Sequence, residues 1–325
     1  MDPFTFTRAA DDAMAIDAAS RGARFLAGGT TLVDLMREHV ERPTALVDVS
    51  RLAHAEVEVG DAGLVLGALA RMADVARHPG VATAYPAISE ALLLSASPQI
   101  RNMASIAGNL LQRTRCTYFR DPGTPCNKRE PGSGCPARTG EHRMHAIFGT
   151  SEACIATHAS DLAVVLLAFD AVLEVQGSRG RRLLPLSELH RRPGTTPQLE
   201  HTLHQDELIL RVSVPAGPHT RRSHYLKVRD RASYEFALVS AAVALDLDGE
   251  VIRDARVAAG GVGTIPWRLP AVEQALVGQP NRPEVWRQAA DRSLVGAQSL
   301  PQNAFKLTLL PRTIVRALEH VGGRA

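Results

Sequence analysis

The period of the hydrophobic pattern changes along the chain, and each change marks an element. Residues 23–49, "ARFLAGGTTLVDLMREHVERPTALVDV", read as strand, Gly-rich turn, helix and strand. Within "TTLVDLMREHV", Leu32, Leu35, Met36 and Val40 recur at helical spacing, and Thr30 or Thr31 is placed to cap the helix. Two short runs, "AEVEVGD" and "LVLGALA", are joined by Asp61-Ala62-Gly63 and predict a hairpin. Residues 83–96, "TAYPAISEALLLSA", have helical periodicity. "SDLAVVLLAFDA" predicts a buried helix with Ser160 as N-cap, and "VLEVQGSRGRRLLPL" a hairpin around Ser178-Arg179-Gly180.

A second unit begins near residue 220. Its first part predicts at least three strands, two of them joined by an Asp248-Gly249 turn. "PAVEQALVG", "EVWRQAADRSLV" and "NAFKLTLLPRTIVRALEHV" predict helices. Pro and Gly concentrate at 121–140 and 193–218, and the second concentration reads as a linker. The expectation is an α+β chain with an N-terminal part at 1–215 and a C-terminal part at 220–325.

Composition narrows the function. With 325 residues, 45% of them hydrophobic, the chain can bury a large core. A net charge of +3, with Lys and Arg scattered, argues against a nucleic-acid binder. There is no run of eighteen apolar residues to span a membrane, and no basic-then-apolar leader at the start.

Two turns are candidates for gripping phosphates. "LAGGTTL" at 26–32 follows a strand and opens a helix, and Gly28 and Gly29 allow a ligand close to the backbone. "ASIAGNL" at 104–110 is a second small-residue turn, with Ser105, Gly108 and Asn109 as donors. Together they suit the two phosphates of a dinucleotide; a tight turn without ligand is the plain alternative. "GGVG" at 260–263 reads as structural, because Ile265-Pro266 breaks the continuation into a helix.

The stretch "RCTYFRDPGTPCNKREPGSGCP" at 115–136 holds three of the four cysteines. The spacing is Cys116-x9-Cys126-x8-Cys135-x18-Cys154, without the paired knuckles of a zinc ribbon. Four thiols suit a [4Fe–4S] cluster. Arg113, Arg115, Arg120, Lys128 and Arg129 are placed to offset its charge. Two disulfides, free thiols, or a zinc site joined by His142, His145 or His158 remain open on this reading.

"LAGGTTLVDLM", "SPQIRNMASIAGNL", "SDLAVVLLAFDA" and "YLKVRDRASYEFALVSAAVAL", in this order, resemble the FAD-binding medium subunit of the xanthine oxidase family of molybdenum hydroxylases. "QRTRCTYFRD", "CNKREPGSGC" and "EACIATHASDLAV" resemble a subgroup, the FAD/iron–sulfur subunits of bacterial periplasmic aldehyde oxidases. The resemblance implies a two-part FAD-binding domain, a small βαβ lobe at 1–55 and a mixed lobe at 56–215, with a [4Fe–4S] loop inserted at 113–156. A C-terminal α+β domain with a small antiparallel sheet and helices would follow.

The resemblance also implies roles. Phe25, Leu26, Ala27, Gly28, Gly29, Thr30, Thr31 and Leu32 would wrap the FAD pyrophosphate, and Ser105, Gly108 and Asn109 would form the second phosphate turn. Asp161 would accept from ribityl or ribose hydroxyls, with helix-dipole compensation as its plain role. Ile209 would pack on the adenine or the ring system, or be a strand core residue. Lys227 would sit near the isoalloxazine edge, or be a surface strand lysine. Cys116, Cys126, Cys135 and Cys154 would ligate the cluster.

On this resemblance no substrate chemistry falls to this chain. A molybdenum-bearing large subunit would oxidise the aldehyde. A [2Fe–2S] small subunit would feed electrons to the FAD here, and an external one-electron acceptor or oxygen would take them. An aromatic-CoA reductase of the 4-hydroxybenzoyl type, or a zinc- or disulfide-stapled scaffold, are the alternatives. The location would be cytoplasmic, or periplasmic by co-export with a partner.

Overall fold

A computed structural model describes residues 1–323 as three sheets with helices packed against them. The first is parallel, with strand order β1-β3-β2, from β1 (Thr5–Arg8), β2 (Arg24–Leu26) and β3 (Ala45–Asp48). Helix α1 (Asp12–Ser20) connects β1 to β2, and α2 (Leu32–Arg37) connects β2 to β3. β1 and α1 escape the sequence pattern because all four residues of β1 are exposed, so nothing alternates. α1 starts where Asp11 accepts the Met14 N–H at 2.8 Å. α2 is shorter than its periodicity predicts. His39 takes φ 58°, which ends it, and neither threonine side chain caps it, since Thr31 makes no such bond.

The second sheet has the order β4-β5-β8-β6-β7. Its strands are β4 (Val57–Gly60), β5 (Gly63–Gly67), β6 (Val172–Gly177), β7 (Gly180–Pro185) and β8 (Leu208–Pro215). Both predicted hairpins are present. The linker reading of 193–218 is corrected. Its second half is β8, the central strand, paired to both β5 and β6. The apolar run Leu208-Ile209-Leu210 is buried on both faces, Ile209 in the main core and Leu208 and Leu210 in the core under the first sheet.

Helices α3 (Met72–Arg77), α4 (Pro79–Ala84), α5 (Pro86–Leu94), α6 (Pro98–Arg101), α7 (Ile106–Leu110) and α8 (Thr117–Arg120) follow β5. The helix expected over 83–96 is split, because Pro86 lacks the N–H that would continue α4, so a new helix begins there. α9 (Asp161–Ala168) is buried along its whole length and capped by Ser160, which accepts the Ala163 N–H at 2.9 Å. Short α10 (Leu186–Leu189) and α11 (Pro218–Arg221) flank β8 in sequence.

The third sheet, β12-β11-β10-β9, is antiparallel, built from β9 (Ser223–Val228), β10 (Val239–Asp248), β11 (Val251–Gly260) and β12 (Trp267–Arg268). α12 (Pro270–Leu276), α13 (Pro283–Asp291) and α14 (Phe305–Gly322) cover it. Its core includes Val243, Val257, Trp286, Ile314 and Leu318. No described helix is long and apolar enough to cross a membrane.

Candidate functional site

Local backbone chemistry builds the first site. Gly29 sits at φ 70°, a left-handed turn that releases the chain from β2 into α2. Among the described residues, the backbone N–H groups of Gly28, Gly29, Thr30, Thr31 and Leu32 donate to no protein acceptor. Five consecutive free donors make a cradle for an anion. Gly28 lies so close to the second turn that a Cβ on it would come within 1.9 Å of the Met103 carbonyl oxygen. The two turns predicted to grip phosphates therefore touch.

The second turn is held from beneath. Ile106 and Ala107 N–H groups bond to the Ala70 and Ala68 carbonyls, and Arg71 reaches the Met103 carbonyl. Ser105 caps α7 by accepting the Gly108 N–H at 3.2 Å. Asn109 accepts a 2.6 Å bond from Ser160, which joins this turn to the start of α9. The side chains of Ser105 and Asn109 thus position the turn.

Asp161 is 7% exposed and stands at the first position of α9. Tyr225 donates to its Oδ1 at 2.6 Å, while Ser95 and Lys227 donate to its Oδ2 at 2.9 and 2.8 Å. Lys227 is not a surface lysine; its side chain is 1% exposed, and it also bonds the Leu94 carbonyl at 3.2 Å. Burial pushes the Tyr225 hydroxyl well above its usual range, with the Asp161 charge adding to it, so it stays a donor. Ile209 is in the core of the central sheet.

Beside Asp161 lies a cavity of about 320 Å³. Ser160, Asp161, Phe236, Gly261, Cys116 and His145 are among the residues that line it. "GGVG" contributes Gly260 and Gly261 as wall, with Gly261 at φ 69° and its carbonyl bonded to Lys306 at 2.6 Å.

The second site is the loop between Asn109 and Asp161. Cys116, Cys126, Cys135 and Cys154 line one small cavity, and none forms a disulfide. Phe119 and Cys126 pack against Leu35 and Val40, so the loop rests on α2 and its flank. Burial pushes the Cys116 thiol up to about 12 and raises Cys135 and Cys154. A ligand that demands thiolates must therefore displace protons. Among the described residues, no three cysteine sulfurs lie within 4.8 Å of one another. A tetrahedral zinc bound at about 2.3 Å holds its sulfurs about 3.8 Å apart. The four thiols share one small cavity but do not close to the spacing of a tetrahedral zinc site.

Four of the five basic residues are engaged by acceptors within the protein. Arg113 is paired with Glu41 and Glu200, and Arg120 with Asp34 and Glu38. Lys128 bonds Glu200 at 2.7 Å, and Arg129 bonds the Tyr118, Phe119 and Thr124 carbonyls. They brace the loop. Lys128 alone of these five also lines the thiol cavity, where it opposes the rise of the Cys154 thiol.

Three participants escape the sequence reading. Ser95 and the two glutamates Glu41 and Glu200 act across gaps of 66 to 87 residues, which leave no local pattern. Tyr225 was findable, because it lies two residues before Lys227 on one strand and so on the same face. His145 places Nε2 3.2 Å from Cys116 Sγ. Cys116 and His145 line both cavities, so the two sites adjoin.

A donor-rich turn on a small parallel sheet, a facing turn, a neighbouring cleft and an appended α+β domain define a dinucleotide-binding flavoprotein subunit. The FAD-binding domain found in molybdopterin dehydrogenases matches residues 3–217, and the C-terminal domain of CO dehydrogenase flavoproteins matches residues 224–320. The chain belongs to the FAD-binding medium subunits of the xanthine oxidase family of molybdenum hydroxylases. It is 46% identical, over 100% of both chains, to the aldehyde oxidoreductase FAD-binding subunit PaoB of Escherichia coli K12. It is 26% identical to the glyceraldehyde dehydrogenase medium chain of Sulfolobus acidocaldarius, over 85% of this chain and 82% of that one. The carbon monoxide dehydrogenase of Hydrogenophaga pseudoflava shares the fold, with TM-score 0.76 at 21% identity over 100% of this chain and 99% of that one.

Proposed function

We propose that this chain is the electron-transfer subunit of a molybdenum aldehyde oxidoreductase, carrying FAD and a [4Fe–4S] cluster. The observation that carries this reading is the wall shared by the two cavities, Cys116 and His145. The thiol loop is seated on α2 and its Cys116 lines the cavity beside Asp161, so a metal group held by the loop would adjoin that cavity. The 46% identity along the whole of an aldehyde oxidoreductase subunit supports the substrate class.

Bound FAD exchanges electrons singly or in pairs, and a [4Fe–4S] cluster exchanges them singly. The chain's own residues supply the rest. The free amides of 28–32 hold the pyrophosphate, and Gly28 keeps the facing turn close enough to share it. Asp161, which lines the cleft, is held in place from behind by the Tyr225 hydroxyl and the Lys227 ammonium. Cys116, Cys126, Cys135 and Cys154 ligate the cluster, while the Glu200 ion pairs hold the loop. Partners are a molybdenum-bearing large subunit and a [2Fe–2S] small subunit; an external acceptor drains the electrons.

Iron, acid-labile sulfide and flavin analysis of the anaerobically purified chain tests the reading. About four irons and one FAD per chain are expected. One zinc and no iron per chain would overturn the cluster assignment and leave the flavin assignment standing.

A further inference from the structure

Away from both cavities, three side chains from separate elements converge. Glu90 stands on α5, His224 on β9 and His320 on the last turn of α14. One donor atom from each lies within 4.8 Å of the other two. The two imidazoles stack with centroids 3.8 Å apart and planes 25° from parallel, so the exposed His320 ring must turn for its nitrogen to meet an ion held by His224.

The contact between Glu90 and His224 is unusual. Nδ1 of His224 lies 2.8 Å from Oε2 of Glu90, yet that buried nitrogen makes no aligned hydrogen bond. A buried polar atom without a bond is costly. Oε2 is meanwhile fixed by the Tyr225 N–H at 2.8 Å. A nitrogen and a carboxylate oxygen thus approach each other at 2.8 Å without the alignment of a hydrogen bond. Divalent cations bind such lone pairs, and here the Tyr225 N–H orients the carboxylate that would meet one.

We propose that Glu90, His224 and His320 form a site for a zinc-class divalent cation. Two imidazoles and one carboxylate are a recognised zinc donor set, with the fourth position left to water. Its work is structural. Glu90 belongs to the FAD-binding domain, whereas His224 and His320 belong to the C-terminal domain. The ion therefore staples one domain to the other. Tyr225 carries the staple inward, since its N–H sits on Glu90 and its O–H on Asp161.

The test is titration of the full chain with Zn²⁺ by calorimetry and thermal melting, in wild type, His320→Gln and Glu90→Gln. Zinc taken up by the cysteines is common to all three proteins and cancels in the comparison. Wild type is expected to bind one more equivalent than either variant, or the same equivalent at least about tenfold more tightly. Its melting temperature is expected to rise with zinc, as binding to the folded state alone requires. His320 is exposed, so His320→Gln decides the matter even if Glu90→Gln misfolds. Equal stoichiometry and affinity in wild type and His320→Gln would overturn the site. Binding without a zinc-dependent rise in melting temperature would overturn the staple.

Discussion

The flavin turn and the cysteine loop lie side by side but are held by opposite means. The turn at 28–32 is made by regular elements, with β2 entering and α2 leaving, and its donors are backbone amides. The loop holds only short α8 and a single 3-10 turn between residues 113 and 156. Its order comes from ion pairs with distant carboxylates and from packing on α2. Backbone sites survive side-chain substitution and fail when a Cβ intrudes. Side-chain sites fail one residue at a time.

Deleting one of the proposed ligands breaks that comparison most sharply. Cys126→Ala is expected to lose more than half of the iron while FAD stays near one per chain, as read by iron and flavin analysis. Loss of both cofactors together would show that the sites are one structural unit. On the other side, Gly28→Ala drives a Cβ against the Met103 carbonyl, 1.9 Å away, and must part the two turns. FAD affinity is expected to fall about a hundredfold by fluorescence titration, with iron content unchanged. Wild-type affinity in this variant would remove the second turn from the flavin site.

The brace comes next. Glu200 is shared by Arg113 and Lys128, whose side chains are 19% and 11% exposed. Glu200→Gln leaves both cations without this partner, at a cost of about 3 kcal/mol in urea unfolding. Iron is expected to be lost on dilution and FAD retained. Retention of iron would show that α2 packing alone holds the loop.

A pH effect is smaller and also belongs to the loop. His158 and His190 pack edge to face, 4.3 Å apart, in a cavity also lined by Leu110, Lys128 and Glu200. Burial lowers His190 to about 4 and holds His158 well below its usual range. The unfolded chain binds protons below pH 6.5 that the folded chain refuses, so stability present above pH 6.5 falls as pH drops toward 4. His190 alone contributes about 2 kcal/mol of that loss between pH 6.5 and 5. His190→Gln, which keeps a donor for the Leu110 carbonyl, is expected to flatten the slope by that amount in unfolding measured across this range. An unchanged slope would place the titration elsewhere.

The same contrast explains what the sequence made legible. The strand–turn–helix at 23–49 and the capped helix at 161–168 are local patterns, and the structure contains both. The four cysteines stand out by type alone, and they do line one cavity. β8 was hidden because a fully buried strand has no alternation and its neighbours are rich in Pro and Gly. The ion pairs of the loop and the Ser95–Asp161 bond join residues far apart in sequence, and periodicity carries no such information. What sequence resolves here is the backbone-made half of the site; the side-chain-made half needs coordinates.

Ser160 lies where the two halves meet, and it yields the smallest and most discriminating effect. Its hydroxyl accepts the Ala163 N–H at 2.9 Å and donates to Asn109 Oδ1 at 2.6 Å. One oxygen thus starts α9, aims Asp161 and ties the second phosphate turn to both. Ser160→Ala removes the cap and the tie, at about 1 kcal/mol for an N-cap. Ser160→Thr keeps both bonds in principle but adds a methyl at a site 2% exposed. If the hydroxyl only caps the helix, Ser160→Ala lowers the melting temperature and leaves FAD affinity alone. If it positions the turn, FAD affinity falls severalfold as well, because Asn109 loses its anchor, while iron content does not move. The second pattern is expected, since Asn109 Oδ1 is buried and its bond to Ser160 is the one that crosses from the turn to α9.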